Sequence, residues 1–516
     1  MTKYIAVLDV GTTSVRCFVF DEKFTILSTA AKEIENLIPQ HGYHEIDPEV
    51  LVNTCTDVIK SAVTSAKVSY SDIVLGISTL RASFTTWNTK TGKTYHNIIT
   101  WKDIRADDIV KKWNNSYSIS GIHLGSSFLY CFTRSQKFLA GSVIKLTNPQ
   151  VLPKLLWCLQ NNKQLQDSVR KNEASFGTVD AFLLQRLKRG TSSDDVETLM
   201  DVTNAIATGL YDPFTMSWAG WAINLFKIEK KLLPKVVDNS HDFGSTHPSV
   251  FGSPVKISTV IADQSASMFG HCCFNKGDAK ITLGTGTFFC INTAYKIHAS
   301  ILGLYPQISY SVRDLGTVFD VEGSSNNTAN VILWGMQIGL YNDPQETSGM
   351  AESVIDTDGV YFVPAFGGLS APINDPYSGS GFIGIKPSTT KNHLTRAILE
   401  SIVFRVVQLV NASFKETNYK VEKLRADGGV SKNDFVLQTL ADACQVTVER
   451  SDPETTSLGV AHLVAYNMKK VTIEELKNQY TALKVFKPKI ENREKIFAAF
   501  RHWEKAVDRF KEWYQN

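Results

Sequence analysis

The sequence predicts an α/β fold assembled from two related halves, and three observations lead there. A β-rich strand–turn–strand unit opens the chain. A second unit with the same Gly-Thr turn opens its second half. Helices and strands alternate through the remainder.

In the first unit, Tyr4 to Leu8 is a short apolar run, Gly11-Thr12-Thr13 breaks it, and Val15 to Phe20 resumes it. The turn is short enough for an antiparallel hairpin, and Asp21-Glu22-Lys23 leads into a third strand. Pro48 to Ala66 reads as a helix. Asp47 is placed to cap its orphan N–H groups, and Pro48 takes the first helical position, where no N–H is needed. Val74 to Ser78 reads as a buried strand, the stretch from Asn114 to Thr147 as an irregular insertion or lid, and Gly177 to Leu187 as a turn entering a helix. Ala279 to Leu283, Gly284-Thr285-Gly286-Thr287 and Phe288 to Asn292 repeat the opening theme. Aligned on Gly-Thr, DVGTTSVRCF and TLGTGTFFCI both place a cysteine six residues after the first glycine, Cys17 and Cys290. Asn392 to Phe414 is a long helix with Leu394, Ile398, Ile402 and Val406 on one face. Leu424 to Ala426 is a short strand running into Asp427-Gly428-Gly429, Asp434 to Cys444 is helical, and Ile490 to Tyr514 is an amphipathic tail helix.

A chain of 516 residues is too long for one small domain. With 43% apolar and 20% charged residues it can bury a large core, and nothing in the composition points to disorder. The net charge is +3 and no run of five basic residues occurs, which argues against a nucleic-acid surface or a polybasic membrane patch. A bound anion must then be held by local geometry. The eight cysteines are scattered, without a CxxC pair or zinc spacing, as expected of free buried thiols in a reducing compartment. No apolar stretch approaches the ~20 residues of a spanning helix, and Asp9 interrupts the N-terminal apolar run. A cytoplasmic protein without a membrane span is therefore expected.

Three glycine-containing turns follow strands: Gly11-Thr12-Thr13, Gly284-Thr285-Gly286-Thr287 and Gly428-Gly429. Glycine lets backbone N–H groups approach a phosphate closely, and threonine adds a hydroxyl donor. None of the three matches a Walker P-loop or a GxGxxG fingerprint, so a nucleotide site here would be of another kind. Two acids stand beside such features. Asp9 ends the first strand, and Asp263, followed by Gln264, ends the run from Val255 to Ala262. A carboxylate at the end of a buried strand is costly unless something charged or protic compensates it. Mg²⁺ on a nucleotide or a substrate hydroxyl would do so; capping of the next helix is the alternative for Asp263.

The opening LDVGTTSVR resembles the first phosphate motif of the FGGY carbohydrate kinases, LGTGTFF their second, and RADGGVSKNDF their adenosine motif. SGFIGIKPSTTKNHLTRAILE, from Ser380 to Glu400, is similar to the family's C-terminal signature, including His393, Ala397 and Glu400. FGTVDAFLL, VTNA, IADQSASMFG, GVYFVPAFGGLSAPINDPY and VFKPKIENREK resemble segments of the family's glycerol kinase branch. The resemblance implies two actin-like, ribonuclease H-like ATPase domains with a cleft between them that closes over the substrates. Residues 1–265 would bind polyol and phosphates and residues 266–480 the nucleotide, with 481–516 as a helical tail packed on the body. It also implies ATP and Mg²⁺ and in-line phosphoryl transfer to glycerol or a similar small polyol; many relatives self-associate, so a homodimer is compatible with the resemblance, although the sequence does not fix the oligomeric state.

Carried over residue by residue, the resemblance makes Asp263 the general base, with Gln264 beside it on the polyol. Arg81, Trp101 and Phe288 match other polyol-pocket residues. Asp9 and Asp263 would lie near Mg²⁺. Gly11, Thr12, Thr13, Arg16, Gly284 and Thr285 would surround the phosphates, and Gly428, Gly429 and Asn433 would line the adenosine site. The chain departs from the pattern at Ala82, where the branch carries a glutamate that accepts a polyol hydroxyl. Losing one such contact costs ~1–3 kcal/mol. The pocket tyrosine has no counterpart near Pro149 and Gln150, and a nucleotide-side glycine falls at Ala329. The loop that binds fructose bisphosphate in bacterial relatives is not seen between Ser245 and Pro254. Three readings follow: an ATP-dependent glycerol kinase feeding glycerol and lipid metabolism, a kinase for another small polyol or ketose, and a weakly active ATP-binding regulatory protein.

Overall fold

The computed structural model describes residues 3–192 and 196–515. The chain divides into two compact units. One comprises Met1–Cys272, Gln307–Phe319 and Thr456–Gln479; the other comprises Cys273–Pro306, Asp320–Thr455 and Tyr480–Asn516. The first unit thus recruits two segments from the second half of the chain, in addition to the linear stretch expected to end at residue 265.

The first unit is built on a five-stranded sheet in the order Lys256–Ala262, Ile73–Thr79, Tyr4–Val10, Ser14–Phe20, Ile26–Glu33. The first three strands are parallel; the last two form an antiparallel meander with Tyr4–Val10. Every residue of Ile73–Thr79 is buried, as befits an inner parallel strand covered on both faces. The helix Pro48–Ala66 adds Leu51, Cys55, Val58 and Ile59 to a core shared with Ala6, Leu8, Cys17 and Val19. An Asp47 carboxylate oxygen accepts from the N–H groups of Glu49 and Val50 at 2.8 and 3.0 Å, so the cap forms as the sequence predicts.

The second unit contains the strand sequence Thr287–Ala294, Ala279–Leu283, Lys423–Asp427, Thr447–Arg450. Ala279–Leu283 pairs antiparallel with Thr287–Ala294 and parallel with Lys423–Asp427, which in turn runs parallel to Thr447–Arg450. These three pairings repeat those of Tyr4–Val10 with its neighbours in the first sheet, so the weak sequence repeat marks a repeat of architecture. The two hairpins differ by one residue. Val10 pairs with Val15 across Gly11 to Ser14, whereas Leu283 pairs with Thr287 across Gly284 to Gly286. Cys17 therefore faces Leu8 while Cys290 faces Lys280, one step out of the sequence alignment.

The helix Lys391–Thr417 is long and apolar enough by composition to cross a membrane, but 83% of its most apolar window is buried. Ile398, Ile402, Val406 and Leu409 lie in the second unit's core. The tail forms the helix Arg493–Phe510, which buries Ile496, Phe500, Trp503 and Val507; the Trp503 indole N–H donates to the Phe362 carbonyl at 2.7 Å.

Two expectations are corrected. The stretch from Asn114 to Thr147 is not irregular: it carries the helices Tyr117–Thr133 and Gln136–Ser142. Its helical period was hidden because Tyr117, Leu124, Phe128 and Phe132 are apolar yet face outward. Gly177 is not in a turn but in the strand Ala174–Thr178. A Cβ there would stand 2.7 Å from Ala181 Cβ and 2.8 Å from the Trp87 ring, so the glycine answers a close approach.

Candidate active site

In the first unit the site residues gather at the C-terminal ends of three parallel strands. Asp9, Ser78 and Ile261 share one row of the sheet, and Val10, Thr79 and Ala262 the next. Asp263 follows Ala262 directly, so it and Asp9 emerge at the same edge, two strands or about 10 Å apart. Asp9 is buried, and its Oδ2 accepts from an Arg16 guanidinium N–H at 2.7 Å, across the hairpin pair that the two residues form. The turn after Asp9 is held by Gly11 N–H to Ser14 carbonyl at 2.9 Å, and its carbonyls at Thr12 and Thr13 accept from Asn36 Nδ2 and Ile34 N–H. Thr13 is exposed at its tip.

Asp263 occupies the first turn of the helix Asp263–Gly270 rather than its N-cap, which is Ala262. Its Oδ1 accepts the Gln264 N–H at 2.7 Å and lies 3.7 Å from Arg81 Nε. Arg81 follows the central strand Ile73–Thr79, so Arg81, Asp263 and Gln264 are brought together from distant parts of the sequence. The Trp101 indole N–H donates to Thr12 Oγ1 at 3.1 Å, which ties Trp101 to the Gly11–Thr13 turn. Ala82 is half-buried beside Arg81 with φ of 55°, left-handed backbone that strains any residue with a Cβ.

Two supports come from residues to which the sequence assigned no role. Lys154 is fully buried; its ammonium donates to the carbonyls of Thr100 and Pro149 at 2.9 and 3.3 Å. Burial pushes its pKa down to about 7. Next to it, Arg105 is clamped by Asp103 and Glu45 at 2.7 and 2.6 Å and stacks on Tyr43, so Trp101 sits on a rigid segment. The second support is a buried polar network. Thr203 Oγ1 accepts from Ala262 N–H at 2.8 Å, immediately before Asp263, and Thr203 N–H donates to Asp201. Asn204 Nδ2 donates to Asp201 and to Thr79 Oγ1, and Asp201 N–H donates to Asp180 Oδ2 at 2.9 Å. Burial, and then the neighbouring Asp201, push the Asp180 carboxyl up to about 8. The network grips the last row of the sheet from which Asp263 projects. Polar residues inside apolar runs, as in VDAFLL, were the available signal.

In the second unit the two remaining turns lie side by side. Thr282 pairs with Asp427, and the φ of Gly428 is 89°. Gly284 N–H donates to the Gly286 carbonyl at 3.0 Å, the Gly284 carbonyl accepts from Ala329 N–H at 3.1 Å, and Thr285 is exposed at the tip. Gly429 is exposed with nothing within 4 Å of a notional Cβ. Phe288 is half-buried opposite Thr282. Asn433 caps the helix Asp434–Cys444 through Val436 N–H at 3.1 Å and donates to Thr347 at 3.0 Å, so it has a structural task in this unit.

Comparison with known proteins matches residues 4–270 to the N-terminal domain, and residues 279–468 to the C-terminal domain, of the FGGY family of carbohydrate kinases. The chain belongs to this family. It is 42% identical to glycerol kinase 5 of Homo sapiens over 99% of this chain and 96% of that one. It is 31% identical to a glycerol kinase of Corynebacterium kroppenstedtii over 100% and 98%. The crystal structure of Plasmodium falciparum glycerol kinase with ADP superposes with a TM-score of 0.87 at 27% identity, covering 98% of each chain. The FGGY chain described here is thus a carbohydrate kinase, a transferase with the two-domain actin-like ATPase fold, and ATP binding is implied by the family.

Proposed function

We propose that this FGGY kinase transfers the terminal phosphoryl group of ATP to glycerol, giving sn-glycerol 3-phosphate. The observation that carries the reading is the Arg81–Asp263–Gln264 group at the strand ends, with Asp263 bonded to Gln264 N–H at 2.7 Å and 3.7 Å from Arg81. Near-full-length similarity to two proteins named glycerol kinase supports the substrate. Asp263 accepts the proton of the attacking hydroxyl, which raises the hydroxyl's nucleophilicity. Arg81 holds the Asp263 carboxylate in place, and Trp101 offers an apolar wall to the carbon chain. In the first unit the turn at Gly11–Thr13 offers N–H and hydroxyl groups to phosphate oxygens; in the second, the turn at Gly284–Thr285 offers the same donors, and Gly428, Gly429 and Asn433 border the base. Transfer of this kind depends mainly on positioning and charge neutralisation.

The donor set suits Mg²⁺. That ion takes one or two carboxylates and completes its shell with phosphate oxygens and water. Asp9 and Asp263 are two hard oxygen donors at one sheet edge, and among the described residues no cluster of three metal-ligating side chains exists. Bound there with ATP, Mg²⁺ supplies neutralisation of phosphate charge.

Ala82 favours a second reading, a kinase for another small polyol or a ketose, because its methyl group stands where the branch carries a hydroxyl-accepting carboxylate. A coupled ADP-release assay with Mg-ATP against glycerol, dihydroxyacetone, xylulose and ribulose separates the two. Saturable turnover on glycerol that falls ~10²–10⁴-fold in Asp263→Asn, with ATP still bound, is expected. Preference for a ketose would replace glycerol as substrate. Unchanged turnover in Asp263→Asn would remove the proposed base, and ATP binding without turnover on any substrate would turn the reading to a regulatory protein.

A further inference from the structure

The helical hairpin of Tyr117–Thr133 and Gln136–Ser142 has no part in the proposed chemistry, and its outer surface is unusual. Tyr117, Gly121, Leu124, Phe128, Cys131 and Phe132 recur at intervals of three and four along the first helix and share one face. All six are exposed, with Tyr117 at 98%, Leu124 at 76%, Phe128 at 63% and Phe132 at 74%. The stripe contains no polar side chain other than the Tyr117 hydroxyl and runs for about 22 Å at the helical rise. Contiguous exposed apolar stripes of this kind mark contact sites rather than ordinary surface. The hairpin does not present them through looseness. Its inner side is tied down by His123 Nε2 to the Ile144 carbonyl at 2.7 Å, by a pair of 2.9 Å bonds between Asn114 and Leu146, and by the buried Ile119.

Charge selects the occupant. From residue 109 to residue 166 the chain contains no Asp or Glu, while Lys111, Lys112, Arg134, Lys137 and Lys145 flank the stripe. Asp107 pairs with Lys111 and Asp212 with Lys137, which leaves Lys112, Arg134 and Lys145 as the cations on which the charge argument rests. An apolar face bordered by cations matches a helix lying in the interface of an anionic bilayer, its aromatics among the acyl chains and its ammonium groups at the phosphates. A second copy of this chain fits worse, since a two-fold contact over the stripe would gather Arg134 and Lys145 of both copies at an interface to which residues 109–166 bring no acid. We propose that this hairpin docks the kinase onto an anionic lipid surface, peripherally and without a spanning segment.

The test uses the full chain with vesicles of phosphatidylcholine alone or mixed with phosphatidylserine. Cys131 is exposed, and the other seven cysteines are buried or partly so, which allows an environment-sensitive fluorophore to be placed in the stripe. Co-sedimentation with the phosphatidylserine vesicles and a blue shift of the label are expected, both weakened by salt. Phe128→Ser with Phe132→Ser should weaken binding at least ~tenfold, because two aromatic rings lose their burial, with melting temperature and kinase turnover unchanged. Should that variant melt early, Lys112→Glu with Lys145→Glu reads the same surface through charge and should abolish the preference for phosphatidylserine. Equal binding to both vesicles, no binding to either, or insensitivity to these substitutions overturns the proposal. So does a concentration-dependent dimer in sedimentation velocity that the Phe128 and Phe132 changes dissolve, which would assign the face to a second copy.

Discussion

Replacing Gly428 by alanine tests the geometry of the second unit's turns. Gly428 has φ 89° and ψ 167°, a region that residues with a Cβ essentially do not enter. Holding alanine there costs ~1–3 kcal/mol. The added Cβ would also stand 2.6 Å from the Leu283 carbonyl oxygen and 2.7 Å from its carbon, backbone atoms of the neighbouring strand that have no rotamer to change. Overpacking of this kind adds ~1–3 kcal/mol. The combined ~2–6 kcal/mol is a large share of a domain's stability and corresponds to a fall in melting temperature on the order of 5–20 °C. Relief by pushing Leu283 and Gly284 away would displace the adjoining turn, so stabilisation by ADP should shrink as well. Gly429→Ala is the internal control, since its Cβ meets nothing within 4 Å and its φ is not positive. It should melt within about 2 °C of the parent. Thermal unfolding of both variants, with and without ADP, and KM for ATP provide the readout. A Gly428→Ala protein that melts like the parent and keeps its ADP response would refute the argument.

Two further outcomes follow from the first unit. Ala82→Glu keeps the left-handed strain already present at φ 55° while restoring a carboxylate; if glycerol is the substrate, KM for glycerol should fall ~5- to 150-fold, from ~1–3 kcal/mol of hydrogen bonding. An unchanged KM would show that position 82 does not face the polyol. Asp180 has its folded pKa raised to about 8 from the ordinary carboxylate value by burial and by Asp201. Its stabilising contribution is therefore fully present below about pH 4 and is lost as the pH rises toward 8. Urea unfolding of the parent minus that of Asp180→Asn should decline across this window; parallel pH profiles would place the proton elsewhere.

Local chemistry was legible in the sequence wherever it depends on neighbours along the chain. Asp47 and Pro48 announced the helix Pro48–Ala66 residue for residue, and Ala279–Leu283 and Asp434–Cys444 follow directly from apolar patterning and a turn signal. The Gly-Thr repeat pointed to two related sheets, yet it could not show that one hairpin is a residue shorter, because that depends on which cross-strand bonds close. Gly177 read as a turn because its true reason, the approach of Trp87 and Ala181, comes from another strand and from the following helix. That Lys154 and Asp180 are buried was not legible, since burial is a property of the whole fold.

The class of the fold, the glycine-containing turns after strands and the two acids at strand ends were already set by the sequence, since propensity, capping and glycine's freedom act within a few residues. Tertiary structure alone decided that Arg81 reaches Asp263, that Trp101 bonds to Thr12, that Thr203 holds the strand before Asp263, and that the aromatic face of Tyr117–Thr133 is left outside the core. Each of these depends on distances between segments far apart along the chain, which hydrophobic packing and sheet register set only once the whole unit has folded.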